Sequence, residues 1–88
     1  MAKRVVISEK PDLSAATDIT VLGQFVRYKR TSLNLTLEDA ASLCGLSKQA
    51  YNNVEKGLAT IRVETLFKVL VALGISLSIN EQGNDDDW

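Results

Sequence analysis

TLEDAASLCGLSKQAYNNVEKG, residues 36–57, is the stretch that decides the fold. Thr36 fits a helix N-cap, with Asp39 three residues on as a short-armed capping box. Leu37, Ala40, Ala41 and Cys44 recur at i, i+3, i+4 and i+7, the buried stripe of a short helix. Gly45 ends that helix, Ser47 caps the next, and Gly57 stops it. At ~100° per residue, Lys48, Asn52, Lys56, Gln49 and Asn53 share one arc of the second helix, and Ala50, Val54 and Tyr51 fall on the other side. Two short helices around a tight glycine turn follow, and the second is polar along one edge. That edge is consistent with plain solvent exposure or with a face meant for a ligand.

Helical signals extend on both sides. Asp18 or Thr20 caps a first helix that runs to about Leu33, with Val21, Leu22, Phe25 and Val26 at helical spacing. Asn34 then suits a left-handed C-terminal cap. A fourth helix covers about Arg62–Leu73, with Val63, Leu66, Phe67, Leu70 and Leu73 expected inward and Gly74 as its stop. Val69 and Val71 widen its apolar surface and suggest a second buried face. Residues 75–80, ISLSIN, alternate apolar and polar with the strand period. A lone strand needs a partner for its backbone groups, either Val5–Ile7 or the same strand of a second copy. The expected organisation is an N-terminal extension (1–18), a helical domain (19–75), a strand (76–80) and an acidic disordered tail (81–88). The class is all-α, with four to five helices and a short C-terminal β-strand pairing across a dimer. Val69, Ile75, Leu77 and Ile79 are the dimerisation candidates.

Composition narrows the chemistry. Of 88 residues, 45% are hydrophobic and 24% charged, ordinary values for one small globular domain. No apolar run approaches the ~20 residues of a membrane span. The start, MAKRVVISEKPDL, does not read as a signal peptide. A single cysteine forms no internal disulfide, which places the protein in the cytoplasm. There is no histidine, no glycine-rich phosphate loop and no metal-ligand cluster, so neither an enzyme nor a cofactor is expected. Cys44 falls on a buried stripe and reads as inert. The net charge of −1 conceals an asymmetry. Residues 20–75 carry seven basic and four acidic groups, whereas residues 76–88 carry four acidic and no basic ones. A basic body suits a polyanion. Trp88, at the end of the acidic tail, reads as a plain terminal residue in preference to a docking signal.

Small Ala41, turn Gly45, capping Ser47, the Val54-Glu55-Lys56-Gly57 ending and Leu66…Leu70…Ala72-Leu73-Gly74-Ile75 together resemble the lambda-repressor/Cro family of helix-turn-helix proteins over residues 20–76. The resemblance implies that Lys48, Gln49, Asn52 and Asn53 read bases, since amides pair with adenine and lysine donates to guanine. It implies phosphate contacts from Ser47 and the amides near Thr60–Arg62 at a helix N-terminus. Arg27, Lys29 and Lys56 are phosphate candidates by position and charge. Arg30 and Glu55 match a structural ion pair between the first and third helices. Two positions depart from the pattern. Leu37 stands where the family usually has a phosphate-contacting glutamine, and Tyr51 replaces an aliphatic residue, with its hydroxyl expected at the surface within reach of a phosphate. The alternating segment and polar tail further resemble the HipB-type antitoxins. That resemblance implies a homodimer on palindromic operator DNA and a HipA-type kinase toxin as second partner. The alternatives are a stand-alone phage- or plasmid-type repressor, or a protein-interaction module with a vestigial helix-turn-helix.

Overall fold

The computed structural model describes residues 5–12 and 18–78. Four helices form among them: α1 (Ile19–Ser32), α2 (Leu37–Cys44), α3 (Lys48–Lys56) and α4 (Val63–Ala72). Three N-caps follow from local chemistry. The Asp18 carboxylate accepts from the Val21 amide at 2.9 Å, and the Ser47 hydroxyl accepts from the Ala50 amide at 3.1 Å. Thr36 and Asp39 complete a reciprocal capping box. At the other ends, Gly45 and Gly57 take the left-handed conformation, as does Asn34 (φ 63°), the position expected to cap α1.

The core comprises Val26 from α1, Ala40, Ala41 and Cys44 from α2, Tyr51 and Val54 from α3, and Val69, Leu70 and Leu73 from the α4 region. Burial raises the Cys44 thiol pKa, in keeping with an inert core residue. α1 and α3 approach at backbone distance. A Cβ on Gly23 would stand 2.6 Å from the carbonyl oxygens of both Val54 and Glu55. Gly57 joins a positive φ to a second tight contact, with a Cβ there 2.7 Å from the Thr20 Cα. These two glycines let the first helix lie on the end of the third.

Several expectations are corrected. Val63 and Phe67 do not face the core: they are 65% and 52% exposed. Val69, expected at a dimer surface, is 0% exposed within its own protomer. The reason is helical rotation. Leu66, Val69, Leu70 and Leu73 form one stripe, and Val63, Phe67 and Val71 form a second about 100° around the helix. Periodicity reports both stripes, and packing against α2 and α3 selects the first. Ile75 packs partly against the core, whereas Leu77 is exposed. Residues 75–78 are irregular, as are Val5–Ile7, so no strand pairing occurs among the described residues. Ile79, Asn80 and the tail with Trp88 lie outside them. The N-terminal segment is instead fastened to α1. The Ser8 amide donates to the Thr31 hydroxyl at 2.9 Å, and that hydroxyl donates back to the Arg27 and Tyr28 carbonyls.

The glycine contact sets a test. Gly→Ala inside a helix ordinarily stabilises by up to ~1 kcal/mol. Gly23→Ala should reverse that sign and lower the unfolding free energy by about 1–3 kcal/mol, because a methyl group is forced against backbone carbonyls. Urea unfolding followed by circular dichroism measures it. A neutral or stabilising result would mean that α1 and α3 are not in contact at this point.

Candidate nucleic-acid interface

α3 presents its two edges very differently. Tyr51 and Val54 are fully buried, which fixes the inner edge. Lys48, Gln49 and Lys56 are exposed, and Asn52 and Asn53 are half-buried on the outer arc. The four expected base-reading residues therefore lie together on one accessible face. Two of them already interact within the arc, the Gln49 Nε2 donating to the Asn53 Oδ1 at a long 3.4 Å. The Lys48 ammonium lies 3.9 Å from the Glu38 carboxylate, with both side chains more than half exposed. Such a surface pair contributes about 0–1 kcal/mol at most, so Lys48 is readily released to another acceptor.

Behind α3 lies the expected ion pair. The Arg30 Nε donates to the Glu55 Oε2 at 2.5 Å and Nη2 to Oε1 at 3.2 Å, a two-point contact. The side chains are 9% and 6% exposed. The Arg30 Nη1 also donates to the Leu35 carbonyl at 2.8 Å, in the turn that leads into α2. Sequence reasoning did not foresee this third bond, because a backbone carbonyl leaves no signal in a residue pattern. The arginine thus joins α1, the α1–α2 turn and α3.

Arg27, Leu37, Asn52 and Lys56 line a groove of about 360 Å³ with the Arg30–Glu55 pair. Two phosphate candidates, Arg27 from α1 and Lys56 from α3, are brought together there beside the α3 arc. Leu37 gives the groove an apolar wall where the resemblance implied a glutamine. Lys29 is not part of it, lying about 130° around α1 from the Arg27/Arg30 edge. Thr60 and Arg62 are exposed in the α3–α4 connection. Arg62 is the α4 N-cap and makes no side-chain capping bond, which leaves the first α4 amides open to an outside acceptor. Ser47 is exposed, and its oxygen caps α3 while its proton remains free to donate.

Tyr51 is a correction. Its hydroxyl is buried, without a hydrogen-bond partner, and cannot reach a phosphate. Burial raises the phenol pKa above its usual range, with the adjoining Glu55 carboxylate adding to the effect. The ring replaces an aliphatic residue by going deeper, not by turning outward.

The comparisons with known proteins agree with this geometry. The helix-turn-helix family HTH_3 matches residues 26–80. The chain belongs to that family, and it is a DNA-binding transcriptional regulator of the lambda-repressor-like fold. The restriction-modification controller protein C.AhdI from Aeromonas hydrophila is 32% identical, with a TM-score of 0.58 over 67% of this chain and 86% of its own. HipB, solved in a HipA–HipB–O2–O3 complex, has a TM-score of 0.69 at 20% identity, over 78% of this chain and 97% of its own. The hypothetical transcription factor NHTF from Neisseria has a TM-score of 0.64 at 27% identity, over 84% and 83%. No curated protein matches.

The ion pair sets the second test. Arg30→Met alone should lower the unfolding free energy by about 3–5 kcal/mol, since it strands a buried carboxylate. Arg30→Met combined with Glu55→Leu should recover most of that loss. If the double variant unfolds as easily as the single one, the stranded charge is not what destabilises.

Proposed function

We propose that this chain is a sequence-specific repressor that lays α3 in the major groove of a palindromic operator. The observation that carries this reading is the exposed Lys48–Gln49–Asn52–Asn53 arc, held from behind by the buried Arg30–Glu55 pair. Gln49 and the two asparagines read adenine edges, and Lys48 donates to guanine. Arg27, Lys56, Ser47 and the Thr60–Arg62 amides hold the phosphates on either side. Lys29, turned from the groove, adds only to the general field. Two protomers reading half-sites about 34 Å apart account for a palindrome. Two candidates to join them are the alternating stretch of sequence 75–80 and the apolar groove lined by Leu43 of α2 and Val63, Phe67 and Val71 of α4.

The finer reading is an antitoxin of the HipB type, controlling its own operon and binding a HipA-type kinase toxin. The likeness to HipB over nearly its whole length supports it, together with the alternating segment and acidic tail. Controller proteins and other regulators share the fold equally, so a stand-alone regulator is the second reading. A kinase-like protein encoded beside this chain and co-purifying with it is the expected outcome for the antitoxin. A neighbourhood with no such gene would leave the stand-alone regulator.

Two substitutions test the DNA reading on an operator selected from random sequence. Gln49→Ala should lose about 1–3 kcal/mol of discrimination at one base position and leave non-specific affinity unchanged. Equal loss on all sequences would make Gln49 a backbone contact. Lys56→Ala should flatten the slope of log affinity against log salt by about one unit. An unchanged slope would remove Lys56 from the phosphate contacts.

A further inference from the structure

The outer edge of α3 divides in two. Asn52 and Lys56 open onto the groove shared with Leu37 and Arg27. Gln49 and Asn53 stand on the far side of the arc and do not line that groove. They are joined to each other instead, the Gln49 Nε2 donating to the Asn53 Oδ1 at 3.4 Å. A glutamine and an asparagine one turn apart on a helix are a favourable pair. Gln49 is exposed and Asn53 half-buried, so the asparagine is the better fixed of the two. We propose that the pair reads DNA as one unit: Asn53 holds the Gln49 amide edge-on to an adenine, and its own amide nitrogen donates to a keto oxygen of the next base pair, guanine O6 or thymine O4. The proposal rests on the operator-binding reading above and moves Asn53 out of the adenine readers.

A primary amide has one acceptor oxygen and two N–H donors. Bidentate recognition of adenine uses the oxygen and one N–H, set against N6–H and N7. The other Gln49 N–H is not needed for that edge, and Asn53 is the residue placed to accept it. Accepting the bond engages the Asn53 oxygen. Asn53 then turns its amino group outward, two donors without an acceptor beside them. Such a group suits a keto oxygen, whereas N6 of adenine and N4 of cytosine are themselves donors. The spacing agrees. Four residues advance a helix by about 6 Å, and side chains tied at their tips converge on neighbouring base pairs about 3.4 Å apart. A lone exposed glutamine samples many rotamers and both amide orientations. The bond to Asn53 narrows that freedom before DNA arrives, which favours one base edge over its alternatives.

Selection of binding sites from random duplexes by the full chain, then titration of single-base variants of the selected operator, tests the pairing. Circular dichroism is the folding control. The parent should select an adenine beside a position held by guanine or thymine, preferring each about ten-fold or more over its alternatives. Asn53→Ala should abolish the keto-base preference and also lower the adenine preference about five- to ten-fold, although Asn53 itself touches no adenine. Asn53→Asp separates the two roles. Its carboxylate still accepts from Gln49 but donates nothing, so the adenine preference should stay within about three-fold of the parent while the keto-base preference disappears. The added charge weakens binding to all sequences alike and leaves these ratios unchanged. Adding Asn53→Ala to Gln49→Ala should remove no further adenine discrimination. The proposal is overturned by an adenine preference that survives Asn53→Ala intact, or by an Asn53→Asp chain that loses it as fully as Asn53→Ala does. A selected operator with no adenine beside a keto base would overturn it as well. The operator reading fails separately: a parent chain that binds every duplex alike would sink that reading. Sequence selection that Gln49→Ala abolishes at one position and the Asn53 variants leave untouched would sink the coupling alone.

Discussion

The contact between Arg30 and Glu55 is the constraint on which the rest of this small structure depends. α3 has nine residues, fewer than an isolated helix needs to be stable in water. Its geometry must therefore come from tertiary contacts, and Arg30 supplies a directional one. Two of its donors hold Glu55, near the end of α3, and a third holds the Leu35 carbonyl just ahead of α2. One side chain thereby ties three segments to each other. The close approach at Gly23 and Gly57 keeps α1 near enough for this reach. Tyr51 and Val54 then fill the remaining space with apolar volume. Burying the two charges forfeits their hydration, so the net stabilisation is modest. What the pair gives is a directional contact, since a two-point Arg30–Glu55 bond and the bond to the Leu35 carbonyl are satisfied together only when the three segments are aligned as here.

The same contact shapes the electrostatics of the outer face. Glu55 is the acidic residue of α3, and its charge is compensated locally by Arg30. The field along the outer arc is thus left to Lys48 and Lys56, with Arg27 added from α1. Glu38 reaches Lys48 only as an exposed pair, which solvent and salt screen. A buried compensated carboxylate behind, and basic and amide groups in front, give α3 a positive edge without demanding a strongly basic chain. This is why a protein with a net charge of −1 presents a face suited to a polyanion.

The legibility of these features in the sequence follows the range of the interactions that produce them. Asp18, Thr36 with Asp39, Ser47, Gly45, Gly57 and Asn34 act within three or four residues of themselves, and each stands where its residue type implies. The α3 arc was legible for the same reason, since periodicity assigns Tyr51 and Val54 to one side and the lysines and amides to the other. The depth of Tyr51 was not, because a wheel gives direction and not distance from the surface. The Arg30–Glu55 pair came from a family resemblance rather than from spacing. The Ser8–Thr31 contact joins residues 23 apart through a hydroxyl and had no pattern to announce it. The groove with Leu37 is similarly a product of three segments meeting.

The α4 helix shows where periodicity is ambiguous in principle. A helix with two apolar stripes yields two equally good inward faces, and only its neighbours decide between them. Here α2 and α3 take Val69, Leu70 and Leu73, and the Val63–Phe67–Val71 stripe is left in water. Set beside α3, this is an opposite anomaly. α3 places low-propensity asparagines at helix positions, with only a long Gln49–Asn53 bond in return, and α4 carries side chains whose burial the protomer does not provide. Neither choice serves the isolated fold. In a domain whose core is only as large as 88 residues allow, positions that do not serve the fold are those left to serve contacts outside it. Polar excess on one helix and apolar excess on another then point to two occupants of different chemistry, one a polyanion and one a protein surface.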